Sequence, residues 1–541
     1  MNPNRNLLLF LLIAAAVLLL WNVGGYGVIE TSDARYAEIG REMLHSGDWL
    51  HPSLLEIHHY HKPPLTYWLT ALGYEIFGVN PFGARFFLQL ALLAQLALVY
   101  LLGRELFEEE TPAIWAVGIY FSFPLVLAST RNLTTDAYLT TFALAAVYAW
   151  VRYRKEGRWL WLYLFTVALG LGFLTKGPVI FIAPAIFALA YNRLEPAKTA
   201  WSRHHLLAWG LFAAIAASWF VYLAASNPAF WDYFVERQTV ERFSSNVFHR
   251  NEPFWYYWVY APLAGMPWLP ALPWLLWENR DRLKPKSLET ALLIAVFVPL
   301  LFFSLSASKR IFYILPLYPL FALLVAHLLW HLRKERVPLL RRGLKIYTAL
   351  LLTALAAAPF VSDKVVIGLR WSAGAIGLGL LLMWVLQRNN KGMRSRLVWG
   401  MAAVSAYLML YASALLAASP QLVKTPVQMT GWMKRHRLDD RLVLIYDRRL
   451  PSVAFHLDRP VVSLYDGDRS LNRETQFETS EAWKKSLYNL KDPADAARLK
   501  ARLEGRKYVL VLFGKSLPDS RRWLAAPLTH EREFGRWKLY Y

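Results

Sequence analysis

The segment Glu30 to Met43 reads ETSDARYAEIGREM and follows the apolar run Leu7 to Trp21, LLLFLLIAAAVLLLW. The apolar run has the composition of a membrane-spanning helix, and the segment after it carries several ionisable side chains. Ionisable groups at the level of a membrane are costly and often mark function. This order indicates a membrane protein whose chemistry takes place at the surface of the bilayer.

The composition of the whole chain supports that interpretation. The chain has 541 residues, of which 56% are hydrophobic, too long and too apolar for a single soluble core. Its net charge of +22 comes from Lys and Arg in short loops between apolar runs, so membrane topology explains it and no nucleic-acid partner is expected. With no cysteine, a disulfide, a thiolate nucleophile and a cysteine metal site are excluded.

Apolar segments of about 20 residues predict an α-helical polytopic membrane protein with about thirteen transmembrane helices. The first is a retained helix and not a cleaved signal peptide. Lys and Arg concentrate in alternate loops, which predicts a cytoplasmic N-terminus and an outer C-terminal segment. The predicted spans are 6–27, 83–103, 112–128, 136–153, 158–174, 177–192, 204–225, 256–277, 289–305, 311–331, 343–361, 366–386 and 397–418.

The composition changes near residue 422, which predicts two domains, a membrane domain at 1–421 and a small extracytoplasmic α/β domain at 422–541. Buried strands are predicted at Leu442 to Tyr446, Val461 to Leu464 and Tyr508 to Phe513. The piece from Glu481 to Leu503, broken at Asp492-Pro493, has helical character.

Two amphipathic segments follow the first span. Asp33 to Ser46 has helical character and is expected to lie along the membrane surface. In the next segment, His58 to Trp68, two prolines fix a turn and begin a second amphipathic helix that extends to Phe77. Lys62 precedes those prolines and is suited to a lipid phosphate, although a lysine at this level can also be a snorkelling anchor.

Several short motifs then occur in a specific order: Ser32 to Glu38, His61 to Trp68, Asn132 to Asp136, Lys176-Gly177-Pro178 and Lys309 to Pro319. In these motifs residues 1–420 resemble the bacterial glycosyltransferases related to lipid A aminoarabinose transferase and to protein O-mannosyltransferases. The resemblance implies a GT-C membrane fold in the inner membrane with its active site on the outer face. It also implies a polyprenyl-phosphate-linked sugar, such as an undecaprenyl phosphate sugar, as donor and a lipid or protein as acceptor.

Transfer from a lipid phosphate requires cations for the departing phosphate and a group that orients the acceptor. Asp33 is the candidate general base or acceptor-orienting group and Asp136 its partner. Many relatives carry Asp-Glu where this chain has Ser32-Asp33, so Glu30 is the candidate for the second carboxylate. The candidates for the donor phosphate are Arg35 and Lys62, followed by Arg131, Lys176 and Lys309.

A divalent metal ion is a candidate cofactor, because a metal is found in the aminoarabinose branch. Relatives often carry Glu before the Lys-Pro motif, whereas this chain has His61. His61 and His249 could form a neutral-imidazole site, but isolated histidines in polar loops usually bind nothing.

Two other classes of function stay open. A lipid or sugar transporter would also place charges along a substrate path, and a third possibility is a membrane anchor for the C-terminal domain. The one-sided clustering of the motifs and the lack of an internal repeat favour the transferase. We expect a monomer, and the sequence does not identify the sugar or the acceptor.

Overall fold

The computed structural model describes residues 3–196, 198–234, 252–387, 392–467 and 471–541. The chain is mainly helical as far as residue 418. Each of the thirteen predicted spans overlaps one helix or two consecutive helices. Eight segments of the described chain are long and apolar enough to cross a membrane, and two shorter apolar helices accompany them. A polytopic helical protein is therefore confirmed, while the number thirteen stays a prediction.

The first half of the membrane domain contains eleven described α-helices, three of which lie outside the predicted spans. Two of the three are the amphipathic helices after the first span, and both predicted segments are confirmed as helices. The third is the short helix Pro228–Asp232. Helix α4 begins where the Asn80 side chain accepts a hydrogen bond from the Gly83 amide (2.9 Å), with a proline in its first turn. The helices are α1 (Pro3–Leu20), α2 (Ser32–Ser46), α3 (Leu65–Phe77), α4 (Pro81–Leu106), α5 (Glu110–Phe121), α6 (Pro124–Ser129), α7 (Thr135–Glu156), α8 (Trp159–Lys176), α9 (Ile182–Tyr191), α10 (Arg203–Ser226) and α11 (Pro228–Asp232).

Seven further helices complete the membrane domain in the described residues. The central one, α15, is buried along most of its length and packs against α5, so it forms the middle of the main hydrophobic core. These helices are α12 (Tyr256–Ala264), α13 (Trp268–Glu278), α14 (Leu288–Leu305), α15 (Tyr318–His331), α16 (Val337–Val361), α17 (Leu369–Gln387) and α18 (Met393–Ala418).

The C-terminal part is built on a six-stranded mixed sheet in the order β3-β2-β1-β4-β6-β5. The first four strands in that order run parallel, and β6 and β5 add an antiparallel edge. The strands are β1 (Leu442–Tyr446), β2 (Val462–Tyr465), β3 (Leu487–Asn489), β4 (Tyr508–Phe513), β5 (Glu531–Phe534) and β6 (Trp537–Tyr540). The helices are α19 (Val427–Arg435), α20 (Pro451–Leu457), α21 (Asn472–Thr475) and α22 (Pro493–Leu503).

The predicted α/β domain and its three buried strands are confirmed. The helical prediction for 481–503 is correct only from Pro493 onward, where Asp492 caps α22. Before that point the chain makes a short 3-10 turn and then pairs with β2 as the strand β3, because tertiary pairing overrides local propensity. The boundary at 421/422 stays a prediction.

The C-terminal domain packs directly on the segment of the membrane domain between α1 and α4. Helix α20 contacts α2, and one hydrophobic cluster contains residues of both parts, among them Ile39, Met43, Val453 and Phe455. The Glu30 amide also donates to the Lys424 carbonyl oxygen (2.9 Å). The site described next lies where these two parts meet.

Candidate active site

A cavity of about 490 Å³ separates the segment between α1 and α4 from the carboxyl ends of the C-terminal strands. Its membrane-domain wall comes from the start of α2 and from the turn before α3. Its other wall comes from the loops after β1, β2 and β4. The ionisable residues among those that line it are Glu30, Arg35, Tyr36, His59, His61, Lys62, Tyr67, Asp447, Arg448, Arg449, Tyr465, Arg473, Glu474 and Lys515.

Cations dominate this lining. Among the described residues, six that line the cavity are Arg or Lys and three are Glu or Asp, and two of the three carboxylates are paired within the cavity wall. Glu474 accepts from Arg449 (Nη1 to Oε2, 2.5 Å), and Asp447 is paired with Lys515. The balance of charge favours an anionic ligand.

Arg35 and Lys62, the two leading candidates for the donor phosphate, both line the cavity. Arg35 stands in the first turn of α2 and is half-buried. Lys62 stands just before the two prolines that precede α3, so its position is fixed by the turn. The structure therefore brings these two cations together, and their role in phosphate binding stays a prediction.

Glu30 is buried in the same wall. Its Oε1 accepts a hydrogen bond from the Ser452 amide (2.8 Å), and its Oε2 has no partner among the described residues. Burial raises the pKa of this carboxyl to about 7, although the Ser452 hydrogen bonds and the Arg35 charge act against that rise. A carboxyl with one unpaired oxygen and a pKa near neutrality is suited to binding a cation or a proton.

Asp33 lies deeper and has no place in the lining. Its Oδ1 accepts from Arg85 Nε (3.0 Å) and from the Leu133 amide (2.7 Å), and its Oδ2 accepts from Arg85 Nη2 (2.5 Å) and from the Ile29 amide (2.9 Å). Both oxygens are thus engaged in the anchoring of α2 to α4 and to the turn before α7. These contacts favour a positioning role, and the assignment of Asp33 as general base stays a prediction.

Arg85 is a residue that the sequence analysis did not single out. It is fully buried in α4, also donates to the carbonyl oxygens of Val23 (2.9 Å) and Gly27 (2.6 Å), and lies 4.4 Å from the centre of the Tyr26 ring. It therefore fixes the chain that leads from α1 into Glu30. The only sequence signal was a charge inside an otherwise apolar span.

Asp136 and Lys176 form an ion pair between the start of α7 and the end of α8. Both side chains are more than nine-tenths buried, and the Lys176 ammonium lies 4.3 Å from the centre of the Tyr313 ring. Neither residue lines the cavity. These two candidates therefore contact each other, but they do not share the cavity wall with Arg35 and Lys62.

Arg131 and Lys309, the remaining phosphate candidates, both donate to main-chain carbonyl oxygens. Arg131 Nη2 donates to Trp21 (3.2 Å), at the end of α1, where a cation complements the helix dipole. Lys309 Nζ donates to Glu252 (2.7 Å) and to Ser306 (2.6 Å). Neither residue lines the cavity, and their roles in phosphate binding stay predictions.

The proposed metal site can be followed only in part, because His249 lies outside the described residues. His61 lies against His59, with 4.2 Å between ring centres, and its Nδ1 contacts the Tyr233 hydroxyl. Burial holds the pKa of both imidazoles well below the usual range, so both are neutral. No group of three or more His, Cys, Asp or Glu in the described residues could hold a metal ion, and the site stays a prediction.

The C-terminal wall of the cavity was not expected from the sequence. Its charged residues come from three loops that are far apart in the chain and meet only because β2, β1 and β4 are neighbours in the sheet. No short sequence motif can predict that the charged residues of these three loops lie together.

The chain was compared with protein families and with solved structures. Residues 61–222 match the family of dolichyl-phosphate-mannose-protein mannosyltransferases. An undecaprenyl phosphate-alpha-4-amino-4-deoxy-L-arabinose arabinosyl transferase of Pseudomonas savastanoi pv. phaseolicola is 30% identical over 539 residues, covering 96% of this chain and 98% of the relative. A second such transferase, from Pseudomonas fluorescens, is 27% identical and covers 88% of this chain and 83% of the relative. The crystal structure of ArnT from Cupriavidus metallidurans bound to undecaprenyl phosphate has the same fold, with a TM-score of 0.78 at 20% identity over 98% of this chain and 97% of that one.

The fold and the relatives define an integral membrane glycosyltransferase of the GT-C class that uses a polyprenyl-phosphate-linked sugar. Within that class, the chain belongs to the aminoarabinose transferase family. Family membership favours the transferase over the transporter and the anchor.

Proposed function

We propose that this chain transfers 4-amino-4-deoxy-L-arabinose from undecaprenyl phosphate to a phosphate-bearing lipid on the outer face of the inner membrane. The end-to-end match to a relative named for that sugar and that carrier supports the choice of donor. The observation that carries the proposal is the cavity itself, which six cations and three carboxylates of the described residues line.

Arg35 and Lys62 hold the donor phosphate in this account. The acceptor oxygen attacks the anomeric carbon of the sugar, the bond from that carbon to the phosphate oxygen breaks, and undecaprenyl phosphate leaves with the electron pair. The phosphate changes from a diester with one negative charge to a monoester that gains a second. Because this charge grows in the transition state, neighbouring cations bind the transition state more tightly than the ground state.

An acceptor that is itself a phosphate is already anionic and needs no general base. It does bring a second negative charge close to the first, and two unit charges about 5 Å apart repel each other by about 3 kcal/mol at an effective dielectric constant of about 20. The excess of cations in the cavity offsets that repulsion.

Glu30 binds the amino group of the sugar in this account. An amino sugar is a cation at neutral pH, and the buried Oε2 of Glu30, a residue of the cavity wall, has no hydrogen-bond partner among the described residues. Asp33 holds the start of α2, and with it Arg35, in position through its contacts with Arg85. The imidazole of His61 supports the wall of the cavity beside Lys62.

The test is transfer by the purified full-length protein in lipid nanodiscs. A panel of undecaprenyl phosphate donors carrying the radiolabelled aminopentose, a neutral pentose and a neutral hexose is supplied together with a phosphorylated glycolipid acceptor. The proposal expects label to move from the aminopentose donor at least about tenfold faster than from either neutral sugar, because the Glu30 contact to an ammonium group is charge-assisted. Equal rates with all donors would contradict the choice of sugar, and an unchanged donor in every case would contradict transfer.

A further inference from the structure

The C-terminal sheet has a topological switch point that faces the cavity. Strand β1 has parallel neighbours on both sides, β2 on one and β4 on the other. The chain proceeds from β1 to β2 and β3 on one side and then returns to form β4 on the other side. In open α/β sheets, ligands bind outside the carboxyl ends of the strands at such a point.

Charged residues stand directly at these two strand ends. Asp447 and Arg448 follow the last residue of β1, and Lys515 follows β4 after a glycine with φ of +63°. All three line the cavity. The loops on either side of the switch point therefore form the wall opposite Arg35.

The described residues of this wall have a net positive charge. They include four cations (Arg448, Arg449, Arg473 and Lys515) and two carboxylates, each of which is paired with a cation of the same wall. The Arg448 guanidinium packs 5.5 Å from the centre of the Phe513 ring, and its Nε is buried without a hydrogen-bond partner in the described part of the chain. An unsatisfied guanidinium donor in a positively charged wall fits a phosphate oxygen.

The two walls thus present two separate sets of cations across one cavity. On the membrane-domain wall Arg35 and Lys62 outnumber the single carboxylate Glu30. A reaction with one phosphate would require only one of these sets. A reaction in which a phosphate-linked donor meets a phosphate acceptor requires both.

We infer that the carboxyl edge of β1 and β4 is the acceptor subsite, where Arg448 and Lys515 bind the acceptor phosphate and so determine acceptor specificity. This inference rests on the proposed function. Lys515 is 43% exposed in its ion pair with Asp447, so it can exchange that carboxylate for an incoming phosphate without a rearrangement of the fold. The C-terminal domain is then a substrate-binding half of the active site.

The test separates the two substrates. Initial rates of transfer are measured with the full-length protein in nanodiscs while the donor and the acceptor are varied in turn. Arg448→Gln and Lys515→Gln should raise the KM for a phosphorylated glycolipid acceptor by about tenfold or more and leave the KM for the donor within about twofold. Lys515→Arg should restore most of the acceptor affinity. The matched control is Lys484→Gln, which removes a lysine from an ion pair with Glu481 outside the cavity and should change neither constant.

An unchanged acceptor KM in both glutamine variants, or an equal rise in the donor KM, would overturn the inference. A direct binding measurement distinguishes this failure from a failure of the proposed function. Wild-type protein should bind the phosphorylated glycolipid at least about tenfold more tightly than its dephosphorylated form, and Lys515→Gln should lose that preference. Equal binding of both forms by the wild type would overturn the subsite even if transfer is observed. A preference that Lys515→Gln retains would also overturn it.

Discussion

Arg85 and Asp33 form a buried, bidentate ion pair, in which Arg85 Nε lies 3.0 Å from Asp33 Oδ1 and Arg85 Nη2 lies 2.5 Å from Asp33 Oδ2. Both side chains are almost completely inaccessible. The pair joins the first turn of α2 to α4, and the remaining donors and acceptors of both residues are used by the main chain around it. The first turn of α2, which carries Arg35, is therefore held by this contact.

Removal of the arginine should destabilise the protein strongly. Arg85→Leu leaves Asp33 as an uncompensated buried charge, which typically costs about 3–5 kcal/mol, so we expect a fall of several degrees in the thermal unfolding midpoint and a parallel loss of transfer. The matched control is Arg104→Leu at the other end of α4, where the ion pair with Glu110 is exposed and worth about 0–1 kcal/mol. Equal unfolding midpoints for the two variants would contradict the anchoring role.

Asp33→Asn distinguishes a positioning role of Asp33 from a role as general base. We expect this variant to lose transfer and stability together, because the amide cannot accept the four hydrogen bonds that the carboxylate accepts. Transfer and the unfolding midpoint should be measured on the same preparation. Loss of transfer at the wild-type midpoint would instead support Asp33 as a general base.

The Asp136 and Lys176 pair should show energetic coupling. Both side chains are more than nine-tenths buried, so Asp136→Asn and Lys176→Met each leave a buried partner without its counter-charge. The double variant should therefore lose less free energy of unfolding than the two single variants lose together. We expect a coupling free energy of about 1–3 kcal/mol from a double-mutant cycle of unfolding. The exposed pair Lys484 and Glu481 is the comparison cycle and should give about 0–1 kcal/mol. Strict additivity at Asp136 and Lys176 would rule out the buried pair.

Glu30 should make the stability of the protein depend on pH. Its pKa is raised from 4.5 to about 7 by burial, so between about pH 4.5 and pH 7 the folded protein holds a proton that the unfolded chain releases. Stability should therefore fall as the pH rises through this window, by up to about 3 kcal/mol, and stay level above it. Glu30→Gln should flatten the profile, whereas Glu75→Gln, an exposed carboxylate on α3, should leave it unchanged. A wild-type profile that is retained in Glu30→Gln would exclude Glu30 as its source.

The same group should control the pH dependence of transfer. The sugar ammonium binds the deprotonated carboxylate, so activity per folded enzyme should rise with pH through about 7 and then level off. Glu30→Gln should show low activity without this rise. If Glu30→Gln retains the rise in activity with pH, that rise comes from the titration of another group.

The elements that the sequence predicts well are those with local signals. The apolar spans, the amphipathic helices α2 and α3 and the strands β1, β2 and β4 follow from periodicity and from prolines and glycines at their ends. The piece 481–491 shows the limit of such signals, because its residues form a turn and the strand β3 when β2 offers them a partner.

Only the membrane-domain wall of the site was predictable, because one continuous segment of the chain forms it. Glu30, Arg35 and Lys62 all lie within the segment between α1 and α4, and the motifs there single them out. Arg85 was missed because its partner Asp33 is 52 residues away and an apolar span gives no sign of the contact. Arg448 and Lys515 were missed because only the order of the strands brings their loops together.

The most direct test of the central claim is transfer of radiolabelled aminopentose from undecaprenyl phosphate by wild type, Arg35→Gln and Lys364→Gln. Lys364 is an exposed lysine that does not line the cavity. We expect label to leave the donor at similar rates with wild type and with Lys364→Gln, and Arg35→Gln to lower the rate by about 10²-fold at an unchanged unfolding midpoint. Transfer by Arg35→Gln at the wild-type rate would contradict the assignment of this cavity as the site of sugar transfer.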